Sequence, residues 1–355
     1  MCSSDLDKRN PVAGGASGRF KRGFGLGMSQ HHGGNMGYHE GEQAFAKLAA
    51  EPGANIFSSD VDLTADGNVT MKIALPDSGS NHGTALAHLV AEMLGFTTRD
   101  HIRLVWGDSD IAPLSDEWFG GRTITLQGAA ICSATDKLRK DLLARAASVL
   151  GTDPSRLQMR DGVISSTDDP KKTTTFAALA KANNGLIRQT GRGTTNGERT
   201  MLNKGVGACF VEVEVDTWTG NWRFVNAVYT HDTGLVINPL VSESDMVGSL
   251  VESTQVATDS IPWDREFPGT RHYSVGYLSY RIPTIMDVPK STQVYIDSLE
   301  PRWFYGVKSF SETSIGCVPG AISNAIYNAC GVRIREQRIT RENIMAGLAA
   351  PRRKA

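Results

Sequence analysis

The chain has no Cys-x-x-Cys pair, no apolar run long enough to span a membrane and almost no net charge. Its five cysteines, Cys2, Cys132, Cys209, Cys317 and Cys330, are scattered, which argues against an iron–sulfur or structural zinc site built by this chain alone. An odd number of dispersed thiols points instead to reduced, buried side chains. A formal net charge of -1 gives no reason to expect nucleic acid or an anionic membrane as partner. No stretch approaches the ~20 apolar residues of a membrane span. The opening Met1-Cys-Ser-Ser-Asp-Leu-Asp-Lys-Arg9 lacks the basic-then-apolar layout of a secretion signal, so the cytoplasm is the expected location. What remains is ordinary: 40% hydrophobic and 21% charged residues over 355 positions suit one large or two moderate globular domains.

The pattern predicts an α+β fold built from two hairpin-plus-helix units. Apolar runs Ile56–Leu63 and Val69–Leu75 flank Asp66-Gly67-Asn68, a hairpin signal. A Gly/Ser loop, Pro76 to Thr84, then leads into a helix over Ala85–Leu94, with Leu86, Leu89, Val90 and Met93 on one face and Thr84 as N-cap. After strand Ile102–Trp106, the segment Trp118-Phe-Gly120-Gly121-Arg122-Thr123 opens a long helix to about Leu150. Arg160-Asp-Gly162 marks a turn and Phe176–Ala182 a short helix. The second unit begins with a strand in which Val211, Val213 and Val215 alternate with Glu212 and Glu214, so one sheet face is solvated. Its return strand, Trp222–Thr230, ends in His231-Asp-Thr-Gly-Leu-Val-Ile-Asn-Pro239, read as a structural turn before a helix from Ser242. The boundaries expected are an arm over 1–21, a first unit over 22–204, a second over 205–348 and a tail over 349–355.

Three stretches invite a chemical reading. The loop Asp77-Ser78-Gly79-Ser80 at a helix N-terminus offers backbone N–H groups to a phosphate or other polar oxygen, although a plain capping turn accounts for the same residues. Arg22-Gly-Phe-Gly-Leu-Gly27 lets backbone approach another chain or a cofactor closely. The adjacent His31 and His32 that follow point to opposite faces of an extended segment, so they do not suggest a metal site. In Gly306-x-Lys308-x-x-x-Glu312, one acid lies in a Gly/Ser loop ahead of a helix expected to start at Pro319 and stop at Gly331. A single acid so placed suits a catalytic base, but a solvated loop carboxylate is the ordinary alternative.

These motifs, in this order, resemble the molybdenum-binding subunits of the xanthine dehydrogenase and aldehyde oxidase family. The likeness runs from about Arg22 to Leu348 and is carried by Asp77, Gly79 and Thr84, by Arg122 and Gly128, by the turn ending at Pro239, by Tyr280–Pro289, and by Gly306, Lys308 and Glu312. It implies that Glu312 is the base beside molybdenum. It also implies that Ser78, Gly79, Ser80, Gly120, Gly121, Thr123 and Glu252 contact a molybdopterin, in its plain or cytosine dinucleotide form. The chain departs from the family at Asn81, Gly120-Gly121, Glu252 and Ser311. The family's earlier half, with its Gly-Gly-Gly-Phe-Gly-Gly segment, has no counterpart here. The chain is therefore similar to a separately encoded medium molybdopterin subunit, as in nicotinate dehydrogenases. Such a subunit requires a larger molybdopterin subunit, with 2Fe-2S and FAD on further chains, and acts on an aromatic, heteroaromatic or aldehyde substrate. The alternatives are a dehydroxylating reductase of an aromatic coenzyme A thioester and a structural subunit that has lost the site.

Overall fold

A computed structural model describes residues 10–32, 57–115, 120–121, 123–193, 204–257, 283–300, 304–309, 311–335 and 339–350. Strands and helices form two layered units, each a four-stranded sheet with helices on one face, plus a small three-stranded sheet.

The first unit contains β2 (Phe57–Thr64), β3 (Val69–Ile73), β4 (Ile102–Trp106) and β8 (Leu186–Gly193), in the order β4-β3-β2-β8. The hairpin forms where Asp66-Gly67 predicts it. The Asp66 carboxylate accepts bonds from Thr64 Oγ1, Asn68 N and Asn68 Nδ2, which hold its pKa down at about 2. Helices α1 (His82–Met93), α2 (Gly128–Leu150) and α3 (Phe176–Ala182) cover this sheet. Their shared core contains Val61, Met71, Leu86, Ile131, Leu138 and Phe176, all 0% exposed. Strands β5 (Leu157–Arg160), β6 (Val163–Ser166) and β7 (Thr173–Thr175) make the small sheet, with the expected turn at Asp161-Gly162.

The second sheet runs β1-β9-β10-β11: β1 (Phe20–His32), β9 (Lys204–Asp216), β10 (Trp222–Asp232) and β11 (Lys290–Ile296). Although β1 stands first in the chain, ahead of the first unit, it pairs antiparallel with β9 and so completes the second unit's sheet. Val211, Val213 and Val215 point inward at 0% exposure, under α4 (Pro239–Ala257) and α5 (Ser311–Cys330). Glu212 and Glu214 point outward and pair with Arg22 and Arg223. A last helix, α6 (Arg341–Ala349), closes the described chain. No helix among the described residues is long and apolar enough to cross a membrane.

Two sequence expectations change here. The Gly-rich strand does approach another backbone, but that backbone belongs to this chain. A Cβ on Gly23 would lie 2.2 Å from Ala325 O, on Gly25 2.0 Å from Ala321 O, and on Gly27 1.9 Å from Cys317 O. Alternate glycines on one face of β1 therefore let α5 lie directly on the strand. Helix α5 also begins at Ser311 rather than at Pro319, which sits inside it. Proline in a helix interior leaves the carbonyl four residues earlier without its usual donor. That carbonyl is Ile315 O, and Ser253 Oγ from α4 lies 3.0 Å away, its single proton shared between Ile315 O and Ser249 O of its own helix, 2.6 Å away. The expected stop is as predicted, with Gly331 at φ 80° just past the last helical residue.

Candidate active site

The loops at one end of both units converge on a groove of about 780 Å³. Ser78, Gly79, Ser80, Gly120, Gly121, Thr123, Glu252 and Glu312 all border it. Arg122, Trp118 and Phe119 lie outside the described residues, as do Tyr280, Arg281 and Ile282.

On the first unit's side, Asp77 Oδ1 accepts bonds from Gly79 N at 2.9 Å and Asn81 N at 3.2 Å, folding the loop back on itself. Gly79 takes φ 100°, a conformation that side chains strongly disfavour. Helix α1 starts at His82, earlier than Thr84 as N-cap predicts. Asn81 holds the cap position in a left-handed conformation, φ 51°. Asn is one of the few residues other than Gly that visits this region routinely, so it can stand where the motif has its second Gly. Thr84 Oγ1 donates to Asn81 Oδ1 at 2.7 Å instead. Ser80 Oγ lies 2.7 Å from Nδ1 of His82, and burial pushes the His82 pKa below its ordinary value. Gly120 and Gly121 follow each other at φ 59° and 79°, ahead of a π-helical turn over Thr123–Gln127 that leads into α2.

On the second unit's side, the Gly-x-Lys-x-x-x-Glu motif acquires a structural meaning. Val307 bridges Gly234, and Lys308 N donates to Thr233 O at 2.9 Å. Lys308 Nζ reaches both Asp232 oxygens at 2.9 Å, with the lysine side chain 9% exposed. These contacts pin the segment to the end of β10 and fix the start of α5. Ser29 Oγ of β1 donates to Thr313 O and ties the same turn to the sheet.

Glu312 stands in the first turn of α5, within a helix rather than in the loop predicted. Its side chain is 37% exposed and lines the groove, yet Oε2 is buried and has no hydrogen-bond donor among the described residues. His31 Nδ1 is 3.8 Å from that oxygen. The same imidazole has its Cε1 3.5 Å from where a Cβ of Gly120 would lie, so His31 sits between the carboxylate and the Gly-Gly turn. Glu252 lies exposed on the α4 wall of the groove, which the exposed Gly248 and the buried Ser249 also line.

Sequence reasoning missed several members. The turn Leu235–Asn238, read only as structural, forms part of the wall, as do His82, Asp245 and Lys308. Their common signal was position, since each neighbours an element end that already carried a motif.

Known proteins resemble this chain in sequence and fold. The model of the molybdopterin cofactor-binding domain matches residues 2–289. The aldehyde oxidoreductase molybdenum-binding subunit PaoC of Escherichia coli (strain K12) is 28% identical over 295 residues, 80% of this chain and 38% of that protein. The nicotine 6-hydroxylase large subunit of Paenarthrobacter nicotinovorans is 24% identical over 318 residues, 86% of this chain and 36% of that one. The fold matches crystalline quinoline 2-oxidoreductase from Pseudomonas putida 86 with a TM-score of 0.76 at 22% identity, over 93% of this chain and 42% of that one. The chain thus spans about two-fifths of the length of these relatives. With the family model matching most of its length, and with the groove where that family's motifs converge, the chain belongs to the molybdopterin cofactor-binding domain family of the xanthine dehydrogenase and aldehyde oxidoreductase type.

Proposed function

We propose that this chain is one half of the molybdenum-binding subunit of a multi-subunit hydroxylase, and that its groove forms one wall of the molybdopterin site. The observation that carries the reading is the convergence of Ser78–Ser80, Gly120-Gly121, Thr123, Glu252 and Glu312 on a single groove. The fit to an anionic pterin is good on the first unit's side. Two glycine-containing turns and the N-terminal end of α1 present backbone rather than bulky side chains, as polar oxygens require. Ser78, Gly79, Ser80, Gly120, Gly121 and Thr123 would hold the cofactor there. Among the described lining residues the only Lys or Arg is Lys308, and it is committed to Asp232.

When bound, the molybdenum cofactor supplies the two-electron oxidation–reduction chemistry, and the protein supplies position and a base. Glu312 is that base: its Oε2 is held inside the groove with no hydrogen-bond donor among the described residues, leaving it available to accept a proton. Glu252, when ionised, can accept hydrogen bonds but cannot donate them, so it orients donors on substrate or cofactor. In this reading a larger molybdopterin subunit closes the open side of the groove. The cofactor is the plain or cytosine dinucleotide form, 2Fe-2S and FAD chains carry electrons away, and the complex works in the cytoplasm on an aromatic, heteroaromatic or aldehyde substrate.

Metal and pterin analysis of the complex isolated through a tag on this chain tests the reading. The expected result is one molybdenum and one pterin per copy, with neither on the chain expressed alone. A complex free of both overturns it, and so does a lone chain carrying both in stoichiometric amount.

A further inference from the structure

Among the described residues, helices cover one face only of the second sheet. The other face is apolar over its middle. Through the pairing register, Leu26, Phe210 and Val228 lie in one row across β1, β9 and β10. Met28, Ala208, Thr230 and Val294 form the next row, and Val206, Asp232 and Ile296 the one after. Leu26 is 40% exposed, Met28 67%, Val206 40%, Val294 44% and Ile296 49%. A contiguous apolar patch of this kind, on an element otherwise buried, marks an interaction surface. At one end it is rimmed by charges that satisfy each other, Arg22 with Glu212 and Glu214, and Arg223 with Glu214.

The other end meets the groove. Asp232, in the last row, holds Lys308, which lines the groove, and His31, next to Gln30 at the end of the same strand, faces Glu312. A body seated on the patch therefore reaches the groove's open side. It does so face to face rather than by adding a strand to β1. That strand's outer edge is already bonded by side chains: Asn328 Oδ1 accepts from Phe24 N, Asn324 Nδ2 donates to Leu26 O, and Asn10 Nδ2 donates to Arg22 O.

Resting on the function proposed above, we propose that this sheet face is the seat of the larger molybdopterin subunit that closes the groove. The matched relatives carry further length beyond the two-fifths that this chain covers. The patch is continuous with the open side of the groove. A second copy of this chain would bury the patch but bring no second wall for the groove.

The test uses the intact complex, isolated through a tag on this chain, with its partner identified by mass spectrometry. Amide hydrogen exchange of the complex and of the free chain is compared, along with Met28→Asp, Val294→Asp and the double variant. The expected result is protection of β1, β9 and β11 in the complex and at least a tenfold loss of co-purifying partner in the double variant. Its circular dichroism and unfolding midpoint should match those of the wild type, since both side chains are exposed. The inference is overturned by full retention of the partner, by a partner lacking the family's remaining segment, or by a patch protected in a dimer of this chain. An intact interface in a complex without molybdenum would instead refute the functional reading and leave the docking surface standing.

Discussion

Replacing Gly25 by Ala tests the packing of β1 on α5 with one methyl group. The added Cβ would sit 2.0 Å from Ala321 O and 2.3 Å from Ala325 N, both backbone atoms in the middle of a helix. Carbon atoms at rest lie about 3.5–4.0 Å apart, and no side-chain rotation relieves a clash between two main chains. Strand and helix must move apart. The layer that opens includes Val211, Ala321 and Ala325, all 0% exposed. Overpacking a tight core costs about 1–3 kcal/mol, and a backbone-on-backbone clash belongs at the upper end or beyond, so a loss of about 3 kcal/mol or more is expected. Gly320→Ala, in the same helix, is the control. Nothing among the described residues lies within 4 Å of its Cβ position, and the substitution should stabilise by about 0.5–1 kcal/mol. Urea unfolding followed by circular dichroism reads both. A Gly25→Ala variant within about 1 kcal/mol of wild type would show that the strand and helix do not touch in this way.

Three further outcomes follow from single contacts. Ser253→Ala removes the hydroxyl shared between Ser249 O and Ile315 O, the carbonyl freed by Pro319, and should cost about 1–3 kcal/mol in the same unfolding assay; no cost would mean that the hydroxyl bonds only within its own helix. Lys308→Met leaves Asp232 without its two 2.9 Å bonds and should destabilise by about 1–3 kcal/mol, with faster amide exchange at the β10 and β11 ends. Burial lowers the His231 pKa to about 4, so the unfolded chain takes up a proton that the folded chain refuses. That contribution is complete above about pH 6.5, the unfolded value, and is lost as pH falls toward 4, amounting to about 2 kcal/mol between pH 7 and 5. His231→Gln should flatten this part of the stability–pH curve, and an unchanged slope would assign it to other groups.

Local chemistry made much of the fold legible. The Asp66-Gly67 turn, the Val/Glu alternation of β9 and the short helix at Phe176 each follow from neighbours in sequence. The groove-lining residues were legible through the family resemblance: Ser78–Ser80 and Gly120-Gly121 sit in loops between patterned elements, whereas Glu252 and Glu312 sit in helices. What the sequence did not reveal depends on partners distant along the chain. Pro319 reads as a helix start because nothing nearby announces that Ser253 will serve the carbonyl it frees. The glycines of β1 read as an approach to another molecule because their partner, α5, lies near the other end of the chain. The pairing of β1 with β9, and the meeting of His31 with Glu312, have the same origin: long-range register leaves no local signature.

The most direct test of the proposed site is turnover per molybdenum in the purified complex carrying Glu312→Gln. The substitution keeps the size of the side chain and removes its capacity to act as a base. Molybdenum and pterin content should stay at the wild-type level, while turnover falls by at least ~10²–10⁴. Wild-type turnover at equal molybdenum content would contradict the assignment of Glu312 as the base.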